Sequence, residues 1–181
     1  MIREAHIRDV PRMAAIVNDS AERGRMLHRS LAEFYEDLRD FRVCLDGEQV
    51  IGVVGLRVMW ANLAEVYALA VLPEARGRGV GKQLVLDSVA QAERLGIRRV
   101  FALTYEQAFF EKCGFEVCDR NRLPLKVWSE CVRCPKRAAC DEIAMIRVLE
   151  HVPDLAPPIS LAEQTAEYDV PVTIRRTEGE K

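Results

Sequence analysis

Arg76-Gly77-Arg78-Gly79-Val80-Gly81-Lys82 is a basic, glycine-rich stretch set between two patterned segments. Before it, Glu65 to Val71 (EVYALAV) is an apolar run of strand length. After it, Leu84, Val85, Val89, Ala92 and Leu95 recur at helical spacing until Gly96. A strand, a glycine turn and a helix in that order aim several backbone N–H groups at one point, where an anion is stabilised. Glycine allows φ > 0 and close backbone approach, and the arginines and lysine add positive charge. The stretch predicts a seat for a phosphorylated ligand.

Spacing narrows the ligand. A dinucleotide turn needs G-x-G-x-x-G, and its last place holds Lys82. A P-loop needs a glycine where Arg76 stands and Ser or Thr where Gln83 stands. Arg76, Gly79 and Gly81, preceded by Val71-Leu72-Pro73, do fit R/Q-x-x-G-x-G/A. That pattern resembles the acyl-coenzyme A loop of the GNAT acetyltransferase superfamily; a basic glycine turn without ligand is the alternative.

Working outward, Ile2 to Arg8 reads as a strand, and Asp9 as the N-cap of a helix through Ala14, Ala15, Ile16 and Val17 that ends near Gly24. Ser30-Leu31-Ala32-Glu33 is a capping box opening a short helix. Phe41–Leu45 and Val50–Met59 read as strands joined at Asp46-Gly47. Arg99–Thr104 is a further strand, Ala108–Lys112 a helix stopped by Gly114, and Phe115 begins another strand. Residues 119–141 are polar and irregular, and Glu142–Leu149 is a last strand. Pro153, Pro157, Pro158 and Pro171 make residues 150–181 an extended arm after a domain of residues 1–149.

The 181 residues suit one core-forming domain. Lys and Arg number 26 against 28 Asp and Glu, a balance that argues against non-specific nucleic-acid binding. No apolar run reaches membrane-spanning length, and MIREAHIRDV lacks the apolar core of a signal peptide. A cytoplasmic location is expected, with no membrane partner and with the six cysteines as thiols or metal ligands.

Phe109-Phe110-Glu111-Lys112-Cys113-Gly114-Phe115 supplies a second piece of the GNAT pattern, a tyrosine followed by E-K-x-G-F, with Phe110 in the tyrosine's place. Leu27-His28-Arg29-Ser30, Phe41-Arg42-Val43, Leu103-Thr104, Leu123 to Trp128 and the block from Cys131 to Glu142 resemble the acetyltransferase domain of N-acetylglutamate synthases, in its short bacterial form. The resemblance implies the GNAT fold, of α/β (α+β) class, with a central mixed, mostly antiparallel sheet flanked by helices. It implies acetyl-coenzyme A as cosubstrate, held by Leu69, Ala70, Val71, Arg76, Gly77, Arg78, Gly79, Val80, Gly81, Lys82 and Phe110. The acceptor is expected to be an amino acid, L-glutamate, acetylated on its α-amine as the first step of arginine synthesis. A second copy of the chain is a candidate partner.

Glutamate carries two carboxylates, which guanidinium forks bind well. Arg29 takes that role by resemblance, beside Leu27 and Ser30. A second cation is sought among Lys126, Arg133, Lys136 and Arg137, with Lys126 assigned to the substrate. The amine must lose a proton before attack, and Glu65, at the start of the strand before the glycine loop, is the expected base. Backbone N–H groups near Val71 would face the thioester oxygen. Phe110 cannot protonate the departing thiolate and packs against the pantetheine arm or in the core; Tyr105 and Cys113 are the substitutes to test. Cys131, Cys134 and Cys140 have one C-x-x-C spacing, which suits zinc, a redox pair or plain packing. Other readings of the chain are an acetyltransferase for another amine, or an acyl-coenzyme A sensor without catalysis.

Overall fold

The computed structural model describes residues 1–120, 123 and 141–155. Lys126, Trp128, Cys131, Arg133, Cys134, Lys136, Arg137, Cys140 and the arm beyond Leu155 lie outside them.

Among the described residues, seven strands form one sheet in the order β1-β2-β3-β4-β5-β7-β6. They are β1 (Ile2–Glu4), β2 (Phe41–Asp46), β3 (Gln49–Trp60), β4 (Leu63–Val71), β5 (Arg99–Thr104), β6 (Glu116–Val117) and β7 (Ile143–Val148). Every neighbouring pair is antiparallel except β4 and β5. The helices are α1 (Val10–Glu22), α2 (Leu31–Glu36), α3 (Val80–Arg94) and α4 (Gln107–Glu111). On one face α3 lays Leu84, Val85, Val89 and Ala92 against Val54, Leu56, Ala64, Val66, Val100 and Ala102. On the other, Val10, Met13, Ile16 and Val17 of α1 and Phe34 of α2 pack on Phe41, Val43, Val53 and Tyr67.

Three local readings need correction. β1 stops at Glu4, because Asp9 folds residues 7–9 into a 3-10 turn. The Asp9 carboxylate accepts the His6 backbone N–H at 2.7 Å and Arg3 guanidinium bonds at 2.6 and 3.0 Å. Asp9 therefore makes no side-chain cap to α1. Leu95 was expected on the buried face of α3, yet it is 57% exposed. Gly96, at φ +74°, turns the chain; Ile97 donates its N–H to the Ala92 carbonyl at 2.9 Å and is buried in Leu95's stead. The packed core also runs past Leu149, since Val152 is buried in the α3-side cluster.

The residues just beyond β7 return to the β3–β4 turn. Asp154 accepts Asn62 at 2.9 Å and Arg99 at 2.6 Å.

Candidate active site

β4 and β5 pair only through Leu63, Ala64 and Glu65 with Arg99, Val100 and Phe101. β4 continues to Val71 and β5 to Thr104, so the two strands part after Glu65. Beyond the fork, β4's backbone polar groups on that edge have no ladder partner in β5. An edge of this kind can take an extended ligand by strand-like bonds.

The fork coincides with a bulge. The β3–β4 register slips between the pairs Val53–Ala70 and Gly55–Tyr67, and Ala68 has φ +50°. A positive φ at alanine costs about 1–2 kcal/mol and is the sort of strain that surrounding structure holds in place at functional sites. The bulge changes which face each side chain takes. Tyr67, Ala68 and Ala70 all pack on the α1 side, while Leu69 and Val71 pack on the α3 side.

The glycine stretch sits at the open end of β4. Gly77 (φ +74°) and Gly79 (φ +79°) are left-handed, and a Cβ at either would meet no atom within 4 Å. Their requirement is conformational. Gly79 is the N-cap of α3 and contributes no side-chain cap, so the helix's first N–H groups lack a side-chain acceptor there. Arg76 donates to the Val71 carbonyl at 3.3 Å, and Arg78 pairs with Asp46 at 3.0 Å. Gly81 differs: a Cβ there would lie in ordinary contact, 3.4 Å from the Phe109 ring and 3.7 Å from Val71, and only a larger side chain would press on them.

Phe110 does not line this seat. It is buried between Phe109 and Phe115, with ring centroids 5.2 Å away on each side. A tyrosine hydroxyl would need a partner at that depth, and phenylalanine does not. The aromatic beside the glycine stretch is Phe109. Cys113 is also buried, and burial pushes its thiol up against the opposing pull of Lys82 and Arg147.

On the α1–α2 side of the fork lies a charged cluster. Arg29 is buried, its backbone clamped by Asn18 through bonds of 2.8 and 3.0 Å. Its guanidinium lies 4.9 Å from the Tyr67 ring centre and 6.0 Å from that of Phe41. Arg57, on β3, lies 4.4 Å from the same Tyr67 ring. Both guanidiniums meet Asp37 Oδ2, at 2.6 Å from Arg29 and 2.7 Å from Arg57. Tyr67 donates to Asp40 at 3.2 Å, and Arg57 lies 3.8 Å from the same Asp40 oxygen. Burial pushes the Asp40 carboxyl up, with Tyr67's hydrogen bond opposing. Burial, helped by the Asp40 charge, pushes the Tyr67 phenol well above its usual range and keeps it a donor. A Cβ at Gly55 would run into the Tyr67 ring, so the glycine makes room for it.

Glu65 stands at the fork, half-buried, directly across from Arg57 on the neighbouring strand. Opposed residues share a face, so Glu65, Arg57 and Tyr67 look toward α1 and α2. Arg57 was missing from the sequence-derived site, and its only signal there was a charge inside an apolar strand. Leu27 is half-buried near the cluster's loop. Ser30 is occupied by the α2 cap: Glu33 accepts its N–H at 2.7 Å and its hydroxyl at 2.9 Å. Among the described residues, no group of three or more His, Cys, Asp or Glu could hold a metal ion. No helix among them is long and apolar enough to cross a membrane.

Residues 10–115 match the Acetyltransferase (GNAT) family. An uncharacterised N-acetyltransferase of Chlorobaculum tepidum is 38% identical over 148 residues, 82% of this chain and 96% of that protein. An amino-acid acetyltransferase of Mycobacterium tuberculosis is 31% identical over 136 residues, 74% of this chain and 78% of that one. The N-acetylglutamate synthase of Neisseria gonorrhoeae, solved with coenzyme A and N-acetyl-glutamate, superposes with a TM-score of 0.75 at 27% identity. The match covers 82% of this chain and 35% of the synthase.

Proposed function

The chain belongs to the GNAT family of acetyltransferases, and from that premise we propose that it moves an acetyl group from acetyl-coenzyme A to the α-amine of an acidic amino acid, L-glutamate. The observation that carries the acceptor is the convergence of Arg29 and Arg57 on one carboxylate oxygen beside Glu65 at the fork. Guanidiniums so arranged are suited to an acceptor carboxylate.

The coenzyme side fits the residues present. The N–H groups at the start of α3, with Arg76, Arg78 and Lys82, would hold its phosphates. The open edge of β4 from Val66 to Val71 would hold its amide-bearing arm by strand-like bonds. Acetyl-coenzyme A supplies a thioester, whose thiol is a far better leaving group than an amine. The β4 backbone donates to the thioester oxygen as charge gathers there. Arg29 and Arg57 fix the acceptor by its side-chain carboxylate, the group that glutamine lacks, and Glu65 collects the ammonium proton, directly or through one water. Tyr67, bound to Asp40, is not free to donate elsewhere and serves as the floor under the guanidiniums. Chemistry of this kind would provide the first step of arginine synthesis.

A neutral amino acid as acceptor is the second reading, favoured by Asp37, which already faces both guanidiniums. Thiol release from acetyl-coenzyme A, measured against a panel of amino acids, separates the readings. The highest kcat/KM is expected for glutamate. A higher value for glutamine overturns the acidic acceptor, and release with no amino acid overturns the activity.

A further inference from the structure

We propose that Asp37 holds the carboxylate seat when no acceptor is bound, and that an acidic acceptor displaces it from Arg29 and Arg57, so that Asp37 sets the discrimination between acidic and neutral acceptors. This rests on the acceptor site just described.

A single oxygen of Asp37 receives both guanidiniums at charge-assisted distances, 2.6 and 2.7 Å. That is the contact pattern a substrate carboxylate needs, so acceptor and Asp37 compete for the same donors. Of the groups in the cluster, Asp37 is the one placed to yield. Arg29 cannot, since Asn18 pins its backbone and the Phe41 and Tyr67 rings flank its guanidinium. Asp40 is tied to Tyr67. The Asp37 side chain is 30% exposed against 7% for Arg29, so it is the more solvent-facing partner of that pair. It ends a helix of six residues whose Leu31 and Tyr35 are half-exposed and whose buried residue is Phe34. Its backbone N–H closes α2 on the Glu33 carbonyl at 3.1 Å, but its carboxylate is no part of that cap. The carboxylate can swing away with the helix end intact.

A tethered competitor acts at an effective concentration in the millimolar range. An acidic acceptor gains the guanidiniums only after overcoming it; a neutral side chain neither gains them nor has to. Removing the charge at Asp37 should therefore help acidic acceptors selectively.

The test compares the native protein with Asp37→Asn. KM and kcat are measured for L-glutamate and L-glutamine, and glutarate, a dicarboxylate with no amine, is titrated by calorimetry. In Asp37→Asn the glutamate KM and the glutarate Kd should both fall roughly tenfold, since a charge-assisted competitor is lost. The glutamine KM should stay within about twofold. Carboxylate-carbon NMR on the native protein gives a readout that needs no variant: glutarate should move the Asp37 Cγ resonance toward that of a solvated carboxylate as it lets go of the guanidiniums. Native protein that acetylates glutamate, with glutarate Kd unchanged or weakened in Asp37→Asn and the Asp37 Cγ resonance unmoved on binding, overturns the displacement and leaves the proposed function standing. Native protein that neither binds glutarate nor acetylates an acidic amino acid overturns both.

Discussion

A buried guanidinium keeps its charge at low cost only where a carboxylate meets it, and Arg29 has Asp37 in front and aromatic rings beside it. The same cluster makes the division of labour at the site testable residue by residue. Glu65→Gln removes the proposed proton acceptor and keeps the shape; kcat should fall by about 10²–10⁴ with coenzyme affinity unchanged. The variant's rate should climb with pH as the amine sheds its proton unaided. A kcat near that of the native protein would remove Glu65 from the chemistry. Arg57→Ala should raise the glutamate KM by tenfold or more, about the worth of a charged hydrogen bond, and affect glutamine little. Equal losses for both would mean that Arg57 merely supports Tyr67. Arg29 and Glu65 could be singled out in the sequence, Arg29 by the Leu27-to-Ser30 stretch and Glu65 by its place at the start of the strand before the glycine loop. Arg57 could not, because its role depends on the β3–β4 register that sets it opposite Glu65 and on Gly55 making room for the ring beneath it. For Phe110 the sequence left the pantetheine arm and the core open, and packing puts it in the core while Phe109 borders the glycine stretch.

Among elements, the β4–α3 turn was the most readable, since its demand is local: Gly77 and Gly79 need φ > 0 whatever surrounds them. Gly79→Ala meets no atom and should act through the backbone alone, costing about 1–2 kcal/mol in that conformation. It should weaken coenzyme A binding more than it lowers Tm. Gly81→Val acts through contact instead, pushing on Phe109 and Val71, so its loss of coenzyme affinity should be relieved in part by Phe109→Leu. Failure of that rescue would place the defect in α3 itself. Element ends were harder to read. The α3 pattern pointed to Leu95 as the last buried position, but the left-handed Gly96 hands that place to Ile97. β1 ran too long in the sequence because nothing local announces that Asp9 will fold back onto His6 and Arg3.

Across the whole molecule, the succession of strands and helices could be followed along the chain, but not which strands would be neighbours. The one parallel pair among the described residues, β4 with β5, joins segments separated by the glycine turn and all of α3, and its three-residue extent follows from tertiary packing. Asp154 bears on that pair from the far end, by linking Asn62 to Arg99. The Arg99 hydrogen bond, seconded by Asn62, holds its carboxyl below the usual range. A carboxylate lowered in this way stabilises the folded state above its unfolded value of about 3.9, and that contribution is lost as pH falls below it. Asp154→Ala should weaken coenzyme A binding although the residue lies at the opposite end of the pair from the glycine turn; unchanged affinity would show that the fork keeps its width without this link. In mechanical terms, the sheet is a pair of tongs whose pivot is only three residues long and whose rivet comes from the segment after the last strand. The grip at the tips is then set from behind the pivot, so changes there would tune the proposed hold on both substrates without touching either.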